Sequence, residues 1–345
     1  MSRAIKDTPK LEDLDIIILD AYSLLFRAYH SFPLSLTSPS GQITNAVYGF
    51  TRMLLRVLEL IKPEYLVTAT DMGEPTFRHE AYDLYKANRE EADIELKLQF
   101  PIMHEILQVL GIPTIGIEGF EADDVIGTIS EKLARENPDL QVGIFTSDKD
   151  TYQLIHDNIF VMSPERNGNG DLKIVGQTEA FEKLQVHTDQ VIDYKALCGD
   201  QSDNIPGVRG IGPKTASALL LKFGTLVNLY AAMCLAGEIE CSDREESAVA
   251  TLSAKEQAEL KDWVEELRPA VKNKLIANRD LAWLSQDLAR IDTQVPINFT
   301  LEKARLCEYD KHQALQLFTT YGFESLKRKL PPDEFENQVQ TSLFG

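Results

Sequence analysis

Residues 15–20 are Asp-Ile-Ile-Ile-Leu-Asp, a short apolar run that ends at a carboxylate. A continuous run of this composition predicts a strand buried on both faces, as in a parallel sheet covered by helices. Similar runs recur and alternate with helical periodicity, which predicts an α/β fold with a mainly parallel twisted sheet and flanking helices. The predicted strands are 15–19, 65–70, 113–117, 141–146, 159–162 and 172–175, and the predicted helices are 44–61, 100–110 and 122–136.

Beyond about residue 185 the strand-like runs stop and the sequence becomes helical. We therefore predict an α/β domain over residues 1–184, a helical subdomain over 185–330 and a flexible tail over 331–345. Residues 238–262 are polar and are predicted to form a surface insertion.

The composition is that of a globular protein, with 43% hydrophobic and 26% charged residues in a chain of 345. No apolar run has membrane-spanning length, so no membrane partner is expected. The four cysteines have no C-x-x-C spacing, which indicates a reducing cytoplasmic compartment and no structural zinc. The net charge of −19 argues against nonspecific coating of nucleic acid, unless many acids are concentrated at one cation site.

Acidic residues follow each of the first four predicted strands. Because the carboxyl ends of parallel strands meet at one edge of a sheet, where such sheets bind ligands, these side chains are expected to converge there. A further acidic pair opens the helical region and could fold back onto that edge. The acids are Asp20, Asp71, Glu121, Asp123, Asp124, Asp148 and Asp150, with Asp200 and Asp203 as the later pair.

Taken singly, each of these acids is better explained as an ordinary turn or helix N-cap residue. Taken together, so many carboxylates at one edge are tolerable only if cations are bound among them. The ligands are all oxygen, which favours Mg²⁺ or Mn²⁺ over zinc. Their number indicates two ions roughly 3.5–4 Å apart, the arrangement that serves in-line displacement at phosphorus.

The sequence motifs of several other kinds of catalytic or nucleotide-binding site are absent from this chain. The sequence has no G-x-x-x-x-G-K-[ST] loop, no G-x-G-x-x-G after a strand and no G-x-S-x-G nucleophile elbow. A phosphatase with an aspartyl nucleophile at Asp20 would carry a second acid two positions later, where this chain has Tyr22.

Residues 76–91, TFRHEAYDLYKANREE, interleave basic and aromatic side chains. Aromatic rings can stack on bases while Lys and Arg meet phosphates. If the segment is helical, Tyr82, Lys86 and Arg89 share one face; the alternative is a solvated amphipathic helix. Arg27 and His30 follow Asp20 by one to three helical turns and could point at the same edge.

Residues 207–224, GVRGIGPKTASALLLKFG, indicate a helix end, a tight glycine hairpin and a new helix. Gly210 and Gly212 would allow backbone N–H groups to face a phosphate at the helix start, with Lys214 and Thr215 adding side-chain contacts. Such contacts position a duplex without reading its sequence. The alternative is a packing corner between helices.

In order along the chain, LDAYSLLFRAYH, TFRHEAYDLYKANR, FEADDVIG, TSDKDTYQL, GDQSDNIPGVRGIGPKTA and FESLKRKL resemble the 5′-nuclease domain of bacterial DNA polymerase I, akin to phage 5′-exonucleases and flap endonucleases. The resemblance covers about residues 14–330. It implies a PIN-like fold with a helical arch at about 76–100 and a helix-hairpin-helix that grips duplex DNA with help from K⁺. It also implies a metal-dependent nuclease of replication and repair that acts on 5′ ends, branched flaps and RNA primers.

The resemblance also implies roles for residues. Asp20, Asp71, Glu121 and Asp123 would hold one Mg²⁺, with Mn²⁺ as a substitute. Asp148, Asp150, Asp200 and Asp203 would hold the second, with Asp124 in support. Lys86 and Arg89 would act on the scissile phosphate, and Tyr85 would stack beside them. The DNA contacts would be Arg27, His30, Arg78, Tyr82, Tyr85, Gly210, Gly212, Lys214 and Thr215.

Some features depart from the family pattern or leave alternatives open. Ala21, Phe26 and Thr70 replace common family residues, but none of these changes removes an acid. No polymerase domain follows, so a stand-alone monomeric nuclease and a fragment both stay open. A non-catalytic DNA-binding relative and a PIN-type ribonuclease are the alternative functions.

The tail carries a possible partner motif. Gln340-Thr341-Ser342-Leu343-Phe344 resembles the pentapeptide that binds the bacterial β sliding clamp, with Gln340, Leu343 and Phe344 as its anchors.

Overall fold

The computed structural model describes residues 8–73, 75–165, 171–306 and 309–332. These residues cluster into two compact units, each built from separate stretches of the chain. Unit 1 takes the chain up to Thr76, Glu91–Gly176 and the chain from Ile291 on. Unit 2 takes Phe77–Glu90 and Gln177–Arg290.

The sheet belongs to unit 1 and has six strands in the order β3-β2-β1-β4-β5-β6. The first five are parallel, and β6 runs antiparallel to β5. This confirms the predicted α/β class and its mainly parallel sheet. The strands are β1 (Ile16–Asp20), β2 (Tyr65–Ala69), β3 (Thr114–Ile115), β4 (Val142–Phe145), β5 (Ile159–Pro164) and β6 (Leu172–Val175).

Fifteen α-helices lie in the described part of the chain. They are α1 (Ala21–Ser31), α2 (Asn45–Leu60), α3 (Phe77–Ala81), α4 (Ile94–Lys97), α5 (Phe100–Val109), α6 (Ala122–Glu136), α7 (Gln177–Leu184), α8 (Val191–Cys198), α9 (Pro213–Phe223), α10 (Leu226–Leu235), α11 (Asp243–Thr251), α12 (Ala254–Glu265), α13 (Pro269–Ala277), α14 (Arg279–Ala289) and α15 (Lys311–Thr320).

Every residue of β1 is buried, because both faces of the strand are covered. Ile17 and Leu19 pack in one hydrophobic cluster with Phe50 of α2 and Met103 of α5. Successive strand residues point to opposite faces of a sheet. The equally buried Ile16 and Ile18 therefore fill the other face.

The strand order reverses at β1, and this reversal positions the candidate site. From β1 the chain builds β2 and β3 on one side and then returns to place β4 on the other side of β1. In open parallel sheets, ligands bind beyond the carboxyl ends of the strands at such a reversal. The crevice at the ends of β1 and β4 is therefore the expected ligand position.

The two units do not follow the predicted boundary between residues 184 and 185. Residues 77–90 belong to unit 2, where the Arg78 guanidinium donates to the carbonyl oxygens of Leu288 and Arg290 at 3.0 and 2.6 Å. Residues from Ile291 on belong to unit 1, where the Asp292 N–H donates to Asp124 at 2.8 Å. Long-range hydrogen bonds therefore join residues 77–90 to unit 2 and the residues from Ile291 on to unit 1. The periodicity of the sequence gives no information about such bonds.

Residues 238–262 form α11 and most of α12 in unit 2, and all of them except Glu245 and Leu260 are exposed or partly exposed, which agrees with the predicted surface position. Both α11 and α12 pack against α10. Leu260 and Val264, spaced i,i+4 on α12, are buried against it. A disulfide joins Cys234 to Cys241 across 5.3 Å between the Cα atoms, which the cysteine spacing did not predict.

No single helix in the described ranges has the length and apolar composition to cross a membrane. One pair, Pro213–Phe223 with Leu226–Leu235, passes that test jointly but is bent by 72°.

Candidate active site

Three acids of unit 1 follow adjacent strands at the carboxyl edge of the sheet. Asp20 is the last residue of β1 and pairs in register with Ala69 of β2. Asp71 lies two residues past the end of β2, and Asp148 three residues past the end of β4. The topology therefore places these three carboxylates around the reversal point, as the sequence pattern predicted.

Asp20 is the most buried of these three acids, with 4% of its surface exposed. One of its oxygens accepts from the Thr146 hydroxyl at 2.6 Å, and the other accepts from the Ser23 N–H at the start of α1. Burial raises the pKa of Asp20 to about 7, against the lowering effect of these two hydrogen bonds. Repulsion from Asp71 and Asp148 makes a smaller contribution to this rise in the pKa.

Thr146 connects the ends of β1 and β4, and sequence reasoning missed it. Its hydroxyl donates to Asp20 and accepts from the Asp148 N–H at 3.0 Å. The Asp148 carboxylate in turn accepts from the Asp150 N–H at 2.9 Å, which closes the turn after β4. The sequence TSDKD could have indicated this role. A hydroxyl residue between a buried strand and an acidic turn can form hydrogen bonds with the strand end and with the turn.

The start of α6 is tied to the same edge. Asp71 accepts a hydrogen bond from the Ala122 N–H at 2.8 Å, so a carboxylate from the end of β2 caps the helix electrostatically. Glu121 is the N-cap residue and is 9% exposed, and Asp123, in the first turn, is partly exposed. This arrangement brings Asp71, Glu121 and Asp123 to one helix terminus.

Asp124 supports the start of α6 through its buried carboxylate. It is fully buried, and its two oxygens accept from the Glu121 N–H at 3.1 Å and the Asp292 N–H at 2.8 Å. One oxygen caps an N–H group at the start of α6, which has no partner within the helix, and the other binds the 291–295 segment. Asp124 thus supports the site by positioning the backbone of Glu121, in keeping with its predicted supporting role.

The basic residues predicted beside Asp20 differ in their contacts. The Arg27 guanidinium donates to the Pro164 carbonyl oxygen at 2.8 Å and to the Ser147 hydroxyl at 3.4 Å. It therefore ties α1 to the turn after β4 and to the end of β5. His30 is exposed and lies with its ring edge-on to Tyr29.

The other two acids, Asp200 and Asp203, belong to unit 2 and are paired with cations there. Asp200 accepts from the Lys195 ammonium at 2.6 Å. Burial acts to raise the pKa of Asp200, but the Lys195 charge and hydrogen bonds from Ser202 outweigh it and lower the pKa to about 2. Asp203 pairs with Arg89 at 2.5 Å and with Lys86 at 3.7 Å.

The 82–89 segment is not helical, so the predicted shared face of Tyr82, Lys86 and Arg89 is wrong. After α3 ends at Ala81 the chain forms turns, and Lys86 has φ of +54°. Hydrogen bonds to another segment outweigh the helical pattern: the Lys86 N–H donates to the Asp203 carbonyl at 2.9 Å. Backbone in this left-handed region is uncommon outside glycine and clusters at functional positions.

Arg78 and Tyr85 are each 3% exposed, which corrects their assignment as surface contacts for DNA. The Arg78 guanidinium satisfies carbonyl groups at the end of α14. The Tyr85 hydroxyl donates to Asp203 at 3.2 Å, and its ring packs with Ile205 and Leu288. Both side chains bury apolar or planar surface inside unit 2, and Tyr82 packs at the edge of the same cluster.

The glycine hairpin has the predicted form. Gly210 has φ of +82°, and α9 begins at Pro213, a residue suited to the first helical position. Within the described residues, the N–H groups of Gly212 and Lys214 donate no hydrogen bond. Gly212 and Lys214 are exposed and Thr215 is partly exposed, so this helix start is accessible to an anion.

The described part of the chain contains no group of three or more His, Cys, Asp or Glu side chains drawn together as a metal cluster. The acids of unit 1 instead share one edge, with their oxygens bonded to Thr146, Ser23 and the start of α6.

Comparison with known proteins identifies the family. Residues 15–185 match the model described as 5′-3′ exonuclease, N-terminal resolvase-like domain, and residues 186–312 match 5′-3′ exonuclease, C-terminal SAM fold. A 5′-3′ exonuclease of Aquifex aeolicus is 37% identical over 214 residues, 62% of this chain and 71% of that protein. The chain therefore belongs to the 5′-3′ exonuclease family.

Two further comparisons define the extent of the likeness. DNA polymerase I of Caldicellulosiruptor bescii is 34% identical over 318 residues, 92% of this chain but 33% of that protein. The chain thus spans about one third of the length of this relative. The fold matches bacteriophage T5 D15 flap endonuclease, in complex with DNA and metal ions, with a TM-score of 0.58, 20% identity and coverage of 88% and 98% of the two chains.

We predict that Thr146→Val weakens divalent-ion binding by roughly 10- to 100-fold, the usual effect of removing a group that orients a ligand. The change deletes the hydrogen bond that holds Asp20 and leaves the Asp148 N–H without its acceptor. The measurement is Mn²⁺ affinity by electron paramagnetic resonance. Thr146→Ser keeps the hydroxyl and should bind as the wild type does; equal affinity in both variants would contradict the role given to Thr146.

Proposed function

We propose that this chain is a divalent-metal-dependent 5′-3′ exonuclease and flap endonuclease that cleaves phosphodiester bonds and leaves 5′-phosphate products. Membership of the 5′-3′ exonuclease family supports the reaction class. The location of the active site is inferred from one observation. Asp20, Asp71 and Asp148 follow three adjacent parallel strands at the reversal of strand order.

The chemistry of these side chains fits a hard divalent cation. Asp20 is buried beside two other carboxylates, and both burial and their repulsion raise its pKa. A bound cation would offset that repulsion, and oxygen donors without His or Cys favour Mg²⁺, with Mn²⁺ as a substitute. The residues proposed to hold metal in unit 1 are Asp20, Asp71, Glu121, Asp123, Asp148 and Asp150.

Divalent ions, when bound, would supply a nucleophile at neutral pH and stabilise negative charge on the phosphate. The chain's own residues orient that chemistry. Thr146 and the Ser23 N–H hold the two oxygens of Asp20, and Asp124 fixes the backbone of Glu121. Lys86 and Arg89 of unit 2 are proposed to contact the phosphate as positive charges.

DNA is the proposed substrate, with RNA-primed DNA as a second form. The T5 flap endonuclease that shares the fold forms a complex with DNA and metal ions. In this chain the hairpin at 207–212 and the start of α9 offer backbone N–H groups to a phosphate, which suits duplex binding without regard to sequence. Phosphate binding at this hairpin is compatible with the net charge of −19, because binding depends on the charge near the hairpin more than on the charge of the whole protein.

A role in replication and repair, in the cytoplasm and as a monomer, is part of the same proposal. The pentapeptide 340–344 lies outside the described residues, and its binding to a β sliding clamp stays a prediction. Deleting residues 340–345 should weaken clamp binding measured by surface plasmon resonance, because both apolar anchors are removed. Unchanged affinity would end that prediction.

We predict that Asp148→Ala keeps binding to flap DNA but lowers cleavage at least about 1,000-fold, because a charged ligand of the metal site is lost. Asp123→Ala should behave in the same way. The measurement is cleavage of a 5′-labelled flap in Mg²⁺, with EDTA as the metal-free reference.

The matched control is Asp139→Ala, an exposed aspartate just before β4, at the opposite end of the strand from Asp148. It should cleave at the wild-type rate. Wild-type turnover by Asp148→Ala, or wild-type cleavage in EDTA, would contradict the metal-dependent assignment. A non-catalytic DNA-binding relative would bind the flap and cleave it in neither buffer.

A further inference from the structure

Two cysteines of unit 2 are joined where α10 ends and α11 begins. Cys234 lies in the last turn of α10, and Cys241 directly precedes Ser242, the N-cap residue of α11. Their Cα atoms are 5.3 Å apart, and a disulfide joins the two side chains. Cys234 is buried, with 9% of its surface exposed, whereas Cys241 is exposed. A reagent in solvent therefore approaches the disulfide from the Cys241 side.

Contacts without sulfur fix the chain on the Cys234 side. The chain leaves α10 through Gly237, which has φ of +75° and donates its N–H to the Cys234 carbonyl oxygen at 2.9 Å. The next N–H, that of Glu238, donates to the Met233 carbonyl oxygen at 2.9 Å, so the helix end is closed by its own backbone. The Glu238 side chain also pairs with Lys272 of α13 at 2.8 Å.

Contacts without sulfur also fix the chain on the Cys241 side. Ser242 and Glu245 form a capping box, in which the Ser242 N–H donates to the Glu245 carboxylate at 2.9 Å. Glu245 is fully buried and pairs with Arg279 of α14 at 2.5 Å. The Arg279 guanidinium also donates to the Glu240 carbonyl oxygen at 2.9 Å. The residues on both sides of Cys241 are thus tied to α14.

The two cysteines are therefore kept within bonding reach by contacts that persist when the disulfide is broken. Disulfides usually join residues whose Cα atoms are roughly 4.4–6.8 Å apart, so neither helix has to move for the bond to form again. In reducing compartments, disulfides are mostly transient and serve catalysis or redox sensing. The proposed cytoplasmic location would bring this pair into contact with dithiol reductants.

We propose that Cys234 and Cys241 form a reversible redox pair, which fastens the loop 236–241 when oxidised and releases it, with the helices intact, when reduced. Gly237, Glu238 and Glu240 are exposed in this loop. Proteases cut exposed loops that open locally, so the oxidation state of the pair controls how well the loop resists proteolysis. The inference goes beyond the proposed function and does not require nuclease activity.

The reduction is a thiol–disulfide exchange with a dithiol. A thiolate of the dithiol attacks the Cys241 sulfur, the bond to Cys234 breaks, and the Cys234 sulfur leaves as a thiolate that takes up a proton. The second thiol of the reductant then attacks the mixed disulfide, and Cys241 leaves as a thiol. Two electrons pass to the protein, which gains two thiols, and the dithiol becomes a disulfide.

The first test measures the oxidation state of the pair in the folded protein. Tryptic peptide 223–244 contains both cysteines and no other, so it can be labelled twice by N-ethylmaleimide when reduced and not at all when oxidised. Native protein treated with oxidised glutathione and then alkylated in denaturant should give the unlabelled peptide. Treatment with reduced dithiothreitol should give two labels, and renewed oxidation should restore the unlabelled peptide. Far-ultraviolet circular dichroism should be the same in both states.

Cys198 is the control for nonspecific oxidation. It is a free cysteine and the only cysteine in tryptic peptide 196–209. This peptide should carry one label in both buffers. Equal oxidation of both peptides would show that the pair at 234 and 241 has no special reactivity.

The second test measures cutting by endoproteinase Glu-C after Glu238 and Glu240. Reduced protein should be cut there at least about tenfold faster than oxidised protein, because the disulfide restricts local opening. Glu136, the exposed last residue of α6 in unit 1, is the matched control and should be cut at one rate in both buffers. Cys241→Ser cannot form the bond, so its loop should be cut at the reduced rate in either buffer.

Several results would overturn the inference. Two labels on peptide 223–244 after treatment with oxidised glutathione would show that the bond does not form. A disulfide that resists dithiothreitol until the protein unfolds, or a reduced protein that loses its helical signal, would show a fixed structural bond. Equal cutting of the loop in both states, or redox-dependent cutting in Cys241→Ser, would remove the proposed control. None of these measurements involves DNA cleavage, so the proposed function is tested separately.

Discussion

The burial of a carboxylate, Asp20, beside two others at the carboxyl edge of the sheet is the constraint on which the rest of the site depends. The reversal of strand order at β1 puts Asp20 between Asp71 and Asp148, and the burial of Asp20 removes the water that would solvate its charge. Hydrogen bonds from the surrounding residues offset part of the cost of this burial. Thr146 and the start of α1 bind Asp20, and the start of α6 binds Asp71. A divalent cation completes this compensation in the proposed function.

The part of the fold that depends on local sequence was predictable. The six strands and α6 fall within a few residues of their predicted bounds, because apolar runs and helical periodicity are local signals. The order of the acids along the chain also predicted which strand ends carry them. The long-range hydrogen-bond partners of Asp124 and Arg78 were not predictable, since they are N–H or carbonyl groups more than 160 residues away.

The contacts of the predicted basic residues were even less predictable from the local sequence. The pattern at 82–89 suits a helix, but hydrogen bonds to Asp203 and its neighbours hold this segment in turns. Tyr85 is consequently buried, and Lys86 and Arg89 pair with one carboxylate. At the hairpin, the glycines predicted the turn correctly, whereas Lys274, which donates to the Gly210 carbonyl oxygen, comes from α13, a helix with no motif of its own.

The central claim is that the carboxylates at the ends of β1, β2 and β4 hold a divalent cation. Anomalous diffraction from crystals grown with Mn²⁺ tests it most directly, because the signal locates the ion without reference to activity. The account predicts a Mn²⁺ peak at this edge, within coordination distance of Asp20 or Asp71, roughly 2.0–2.3 Å. Crystals that show no peak there, at a Mn²⁺ concentration that supports cleavage, would contradict it.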